Sequence, residues 1–325
     1  VVAGAVIDGI GKLAVSFVDL SGRLLHSCRA PLAPAKTVGA MALAMAAALR
    51  EAIAASPFSP DSIDRIGLAL PAIVDARAGT VLFMTTLPRE PMPFAATVAG
   101  ELGIPVTIEN DLAVMARAEH WFGRAQALDT FTLVNFNLAL GSARYVDGLP
   151  WTGASGISPD IGHIKIAWGP DARPCYCGAR GCATAYSSMF GILQAAGQLD
   201  EAIFPQVRLI GERFGEWLDR AEAGDEDALA VLREAGARLG QTIANHINSA
   251  DPGNILVLMP DQRLHPLIVE SFEDALVAGV MPGMLETARI RFEPADSNWR
   301  WQGTAALALE QTFLSGNWTS LVRAR

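Results

Sequence analysis

Along the chain, apolar positions alternate with a period of two in short runs and return at helical spacing in longer ones. Residues 2–30 read as a strand, a turn and another strand: Leu13, Val15 and Phe17 share one face, and Ser21-Gly22 supplies the turn. Residues 37–56 read as an Ala-rich helix with Thr37 at the N-cap and Pro57 beyond its end. Ile66, Leu68 and Leu70 predict a short strand stopped by Pro71. A Pro-punctuated loop over 82–93, a helix over 94–102, a strand over 106–109 and a helix over 111–122 follow. After Gly123 the order restarts. Residues 131–136 and 143–146 read as strands, with Asp147-Gly148 as a hairpin turn. A Gly- and Cys-rich insert spans about 153–182, and helices continue to about 249. Then come a strand (255–259), a helix (265–280), a strand (289–292) and a helix (303–313). A hairpin, helix, strand, helix order that occurs twice predicts an α/β architecture of two similar lobes.

Composition sharpens this picture. At ~150 residues per domain, 325 residues suggest two domains. With 51% hydrophobic and 18% charged residues, the chain can bury a sizeable core and is not disordered by composition. The longest uncharged apolar stretch, residues 38–49, ends at Arg50-Glu51, well short of the ~20 residues of a spanning helix, so no membrane association is expected. No basic start followed by a small-residue cleavage site is visible, and the chain opens Val1-Val2 rather than with Met. A net charge of −9 argues against this chain gripping DNA or RNA phosphates by itself.

Three of the four cysteines crowd together. His163 is followed by Cys175-Tyr-Cys177-Gly-Ala-Arg-Gly-Cys182. One imidazole and three thiols are the ligand set of a closed tetrahedral zinc site, whose metal is structural because no coordination position stays open. The alternative is three unliganded thiols in a loop. The pattern fits a reducing, cytoplasmic setting better than a disulfide framework. Elsewhere, Glu109-Asn110-Asp111 sits where a strand hands over to a helix. It reads equally as a helix cap and as a site whose Asp accepts a proton from a hydroxyl. Asp160 is either a ligand contact or a solvated loop acid.

Together these residues resemble the ROK family of repressors, open reading frames and sugar kinases. The resemblance rests on Asn110-Asp111 heading a helix that holds Ala116 and Glu119 and runs to Gly123. It continues through Gly153, Gly156 and Asp160-Ile161-Gly162-His163, then the CxCGxxGC run from Cys175 to Cys182, with Ser188 beyond it. Leu68-Ala-Leu-Pro71 with Val74-Asp75, Asn248 with Asp251-Pro252, and the closing Gly303–Leu309 stretch add support, so nearly the whole chain is covered. The resemblance implies an actin-like fold of two ribonuclease-H-type lobes with a cleft between them. It places the first lobe at 1–122 plus about 303–325 and the second, with the zinc insert, at 123–302. It implies sugar contacts from Asn110, Asp111, Asp160 and His163, metal ligation by His163, Cys175, Cys177 and Cys182, and a homodimer.

The departures from the family pattern decide the expected activity. The first phosphate loop, DxGGT in family kinases, is here Ile7-Asp8-Gly9-Ile10-Gly11-Lys12. The second, GTGIGGG, is Asn137-Leu-Ala-Leu-Gly-Ser-Ala143, and the third Gly-rich turn is Met259-Pro260-Asp261. Glycines let backbone N–H groups approach phosphate; Leu138 and Ala139 crowd it, Pro260 donates nothing, and Asp261 repels it. ATP and magnesium are therefore not expected. On the sugar side Asp160 replaces Glu, Thr184 stands where a second Glu is usual, Ala72 replaces a Gly and Thr86 an Asn. The expectation is the sugar-sensing domain of a transcriptional regulator that meets DNA only through a missing N-terminal segment of ~80 residues. The competing readings are a sugar kinase with Asp111 as base and a zinc-stapled scaffold without a small ligand.

Overall fold

The computed structural model describes residues 1–8, 11–85, 87–199 and 207–314. Gly9 and Ile10 of the first phosphate-loop stretch, Thr86, and residues 315–325 of the expected closing segment lie outside the described residues. The chain forms two compact units. The first comprises Val1–Ala127, Pro150–Ser158 and Asp296–Arg325; the second comprises Leu128–Leu149 and Pro159–Ala295.

The first unit is built on β1 (Val2–Ile7), β2 (Lys12–Val18), β3 (Leu24–Pro31), α1 (Val38–Ala54), β4 (Arg65–Leu70), β5 (Ala72–Asp75), β6 (Thr80–Met84), α2 (Phe94–Leu102), β7 (Val106–Asn110) and α3 (Asp111–Trp121). Its sheet runs β3-β2-β1-β4-β7. The β1–β2–β3 meander is antiparallel, and β4 and β7 add in parallel. Residues 2–30 thus hold three strands where the pattern predicted two. β3 reads Leu-Leu-His-Ser-Cys-Arg-Ala-Pro and is mostly exposed, so no apolar face marks it as separate. β5 and β6 pair as a small antiparallel ribbon, and β6 enters the stretch expected to be loop. The predicted cap is present, with Thr37 Oγ1 accepting from Ala40 N at 3.1 Å; Gly103, which the sequence reading did not single out, closes α2 in the left-handed region at φ 71°.

The second unit repeats the plan with β8 (Phe131–Phe136), β9 (Leu140–Val146), β10 (Leu149–Pro150), α4 (Met189–Ala195), α5 (Val207–Glu222), α6 (Glu226–Ala250), β11 (Asn254–Met259), α7 (Leu264–Gly279), α8 (Met284–Thr287) and β12 (Arg289–Pro294). Its sheet runs β10-β9-β8-β11-β12, again a hairpin extended by parallel strands. Asp147 and Gly148, at φ 52° and 74°, make the predicted turn after β9. One apolar core joins β8 and β11 to α4, α5, α6 and α7 and reaches Cys175 and Cys182.

The last helix, α9 (Trp299–Leu314), belongs to the first unit. It lies close against β1, β4 and α3 because glycines remove the side chains in between. A Cβ on Gly67 would stand 2.6 Å from the Thr304 carbonyl, and one on Gly4 or Gly303 would collide with Thr304 or Val114.

Candidate functional site

In the second unit a short antiparallel bridge creates the chemistry. Ile166 N donates to Gly181 O at 2.9 Å and Ala183 N to Ile164 O at 3.0 Å, which sets Lys165 opposite Cys182. The knuckle between the cysteines is tight: Cys175 N donates to Ala179 O at 2.8 Å, and Gly178 N donates to Cys175 O at 2.9 Å. Gly181 is required at its position, since its φ is +75° and a Cβ would strike the Ala167 carbonyl. These constraints bring the ligand atoms of His163, Cys175, Cys177 and Cys182 within 4.8 Å of one another, a cluster that can hold a metal ion. Cys177 and Cys182 Sγ are 3.7 Å apart, as are Cys175 Sγ and His163 Nδ1. Metal–sulfur bonds of ~2.3 Å and metal–nitrogen bonds of ~2.0 Å set these spacings at about 3.8 and 3.5 Å in a tetrahedron, so the donors fit.

The electrostatics suit the same role. Burial, then the Lys165 charge, lowers the His163 pKa, keeping the imidazole neutral as a ligand must be. Burial pushes the Cys175 and Cys182 thiols up. Burial acts on Cys177 too, but the Ala179 N–H, the neighbouring thiols and Lys165 outweigh it and bring Cys177 down. Ionising all three sulfurs in this setting would therefore take a cation beside them.

His163 Nε2 turns away from the sulfurs, to Tyr176 Oη at 3.1 Å and Asp160 Oδ2 at 4.0 Å. Asp160 is itself anchored: Oδ1 accepts from Gly162 N at 2.8 Å and Ser142 N at 3.1 Å, leaving Oδ2 to face the imidazole. Burial pushes its carboxyl up to about 6, against those two N–H bonds.

In the first unit Asn110, not Asp111, caps α3. Its Oδ1 accepts from Leu112 N at 2.9 Å and Ala113 N at 3.3 Å, while Nδ2 donates to Ala72 O at 3.0 Å. Asp111 occupies the first helical position, half-buried, with Oδ1 accepting from Leu112 N at 3.0 Å. Beneath them is an ion network that sequence reasoning missed. Glu109, 1% exposed, accepts from Asn110 N at 2.8 Å and pairs with Arg117 at 3.3 Å, and Arg117 pairs with Glu310 on α9 at 2.9 Å. Burial raises the Glu109 carboxyl, and the Arg117 charge offsets only part of that rise.

The three phosphate-loop positions are internally bonded. Asp8 accepts from Lys12 N at 2.9 Å and pairs with Arg29 at 3.1 Å. In the second stretch Asn137 N donates to Ala139 O at 3.1 Å, Leu138 N to Asn137 Oδ1 at 2.8 Å, and Leu140 N to Thr184 Oγ1 at 2.9 Å. Leu138 packs on the core. Thr184, fully buried, therefore braces this loop from within. In the third turn Arg263 donates to Asp261 at 2.7 Å and holds its carboxyl below the usual range, with Asp219 and Glu222 on the same guanidinium.

The ROK family profile matches residues 4–309. The xylose repressor of Caldicellulosiruptor bescii is 23% identical over 220 residues, 64% of this chain and 53% of the relative. The DNA-binding transcriptional dual regulator NagC of Escherichia coli K12 is 26% identical, covering 75% of this chain and 59% of the relative. A glucokinase of Halalkalibacterium halodurans is 22% identical, covering 86% of both. The chain spans about half the length of the first curated relatives it matches. Among solved structures, a ROK transcriptional regulator homologous to the E. coli MLC protein superposes with a TM-score of 0.76 at 21% identity, over 97% of this chain and 78% of that one. A ROK glucokinase of Streptomyces griseus, solved with glucose and AMPPNP, gives 0.73 at 24%, over 95% and 99%. The duplicated hairpin-plus-parallel sheets are those of the actin-like fold these structures share. With a family profile spanning almost its full length, this chain belongs to the ROK family.

Proposed function

We propose that this chain is the sugar-sensing effector domain of a transcriptional regulator, binding a sugar or sugar derivative without phosphorylating it. The observation that carries this reading is the 137–140 loop, where the N–H groups of Asn137, Leu138 and Leu140 are already spent on protein acceptors. A phosphate cradle needs free N–H groups. The acidic company of Arg263 and the internal bonds of Asp8 point the same way. Repressors among the relatives agree with it.

The residues proposed for sugar contact are Asn110, Asp111, Asp160 and His163. Asp160 Oδ2 offers an acceptor. With Nδ1 directed at the metal, His163 Nε2 carries the proton and donates. Zinc suits the donor set of His163, Cys175, Cys177 and Cys182, as a structural ion that stiffens the 160–184 segment. DNA contact would come from a segment outside this sequence, in a cytoplasmic homodimer. The second reading, a sugar kinase with Asp111 as base, is favoured by the glucokinase that covers 86% of this chain.

Calorimetric titration separates the two. Glucose, xylose and N-acetylglucosamine are titrated into the metal-loaded chain, then MgATP. Heat from a sugar and none from MgATP is expected. Saturable micromolar MgATP binding, with sugar-dependent ADP release lost in Asp111→Ala, would install the kinase instead.

A further inference from the structure

Three thiolates and a neutral imidazole around a dication leave one negative charge in excess. That charge sits at a site where Cys175 and Cys182 are buried. Each sulfur has a hydrogen-bond donor. Cys175 receives the N–H of Cys177, and Cys177 receives that of Ala179. Both donors come with the knuckle backbone. Cys182 differs: its donor is a side chain, Lys165 Nζ, at 2.7 Å. The bridge between 164–166 and 181–183 holds the two side chains on one face.

We propose that Lys165 is a positioning residue for the metal: its ammonium neutralises the centre formed by His163 and the three cysteines and, by donating to Cys182, sets how long the ion is retained. The inference rests on the metal reading above. Losing a group that orients a metal ligand costs ~10–100-fold in metal affinity. Lys165 is exposed, and Lys165→Met keeps an unbranched stem while deleting only the charge and donor.

The apo chain is titrated with Co2+, and the zinc-loaded chain is challenged with a chromogenic chelator. Wild type is expected to give tetrahedral d–d bands with thiolate charge transfer, and slow zinc release. Lys165→Met is expected to shift the charge-transfer band and to release zinc at least ~10-fold faster, at unchanged circular dichroism. Lys165→Arg, which restores charge and donor, is expected to recover most of the retention. Release and spectra identical in Lys165→Met and wild type would overturn the role of Lys165 while leaving the metal site standing. No cobalt bands in wild type would overturn the metal reading and this inference together.

Discussion

His246 shows how one buried side chain sets a response to pH. It lies on α6, 5% exposed, with Nε2 at 2.8 Å from Thr132 Oγ1. Burial, then the Arg144 charge, pushes its pKa down to about 4. The unfolded chain titrates near ~6.5 and so binds the proton first as pH falls. The stabilisation is complete above that value and drains away down to the folded one, about 3 kcal/mol in all. Chemical unfolding between pH 7 and 4.5 checks this: His246→Gln should flatten the profile relative to wild type, and parallel profiles would refute it. Arg117 is the complementary case, a buried cation between two carboxylates. Arg117→Met strands Glu109 and should cost roughly 3–5 kcal/mol, partly recovered by adding Glu109→Gln. A loss below ~1 kcal/mol in urea unfolding would show that Glu109 is folded as the neutral acid. At this scale the sequence was legible only where partners are near in the chain. His163, Cys175, Cys177 and Cys182 announce themselves by spacing. Asn110 was ambiguous because its Ala72 partner lies 38 positions away, and Lys165 was invisible because only the bridge register sets it on Cys182.

Elements read well from sequence when their own pattern carried the burial. α2 and α3 were read to within a residue of their observed bounds, as were β8 and β11, the last from a continuous apolar run over 255–259. β3 was merged and β6 was read as loop, because an exposed edge strand and a two-stranded ribbon owe their conformation to pairing rather than to an apolar face. The packing of α9 was equally hidden, since Gly4, Gly67 and Gly303 look like any glycines until a helix lies on them. Gly67→Ala tests that packing: with the Thr304 carbonyl 2.6 Å from the new methyl group, α9 must move off the sheet. Overpacking of this kind costs ~1–3 kcal/mol, and the loss should appear with faster amide exchange in α9. Unchanged exchange in α9 would mean that the helix rides above the sheet.

For the whole molecule, the two units should respond separately to loss of metal. Once the chain is loaded with the zinc proposed above, its removal by a chelator should lower the melting transition of the unit holding Cys175 and Cys182, while amide protection in β1, β4 and β7 stays as it was. Equal loss in both units would argue that they melt as one. The duplication of the sheet plan was legible as a repeated element order. The first unit is discontinuous in the chain, and no local pattern says that a helix beyond residue 295 packs beside β1. That discontinuity also has a cost in time. The ribosome finishes residue 127 about 170 residues before the first unit receives its last helix. At ~5–20 residues per second, the sheet face with Gly4 and Gly67 waits roughly 10–30 s without its cover. For that interval the nascent chain presents the bare backs of β1 and β4, an apolar strip suited to a chaperone. The first half of the protein to be made is thus the last to be finished.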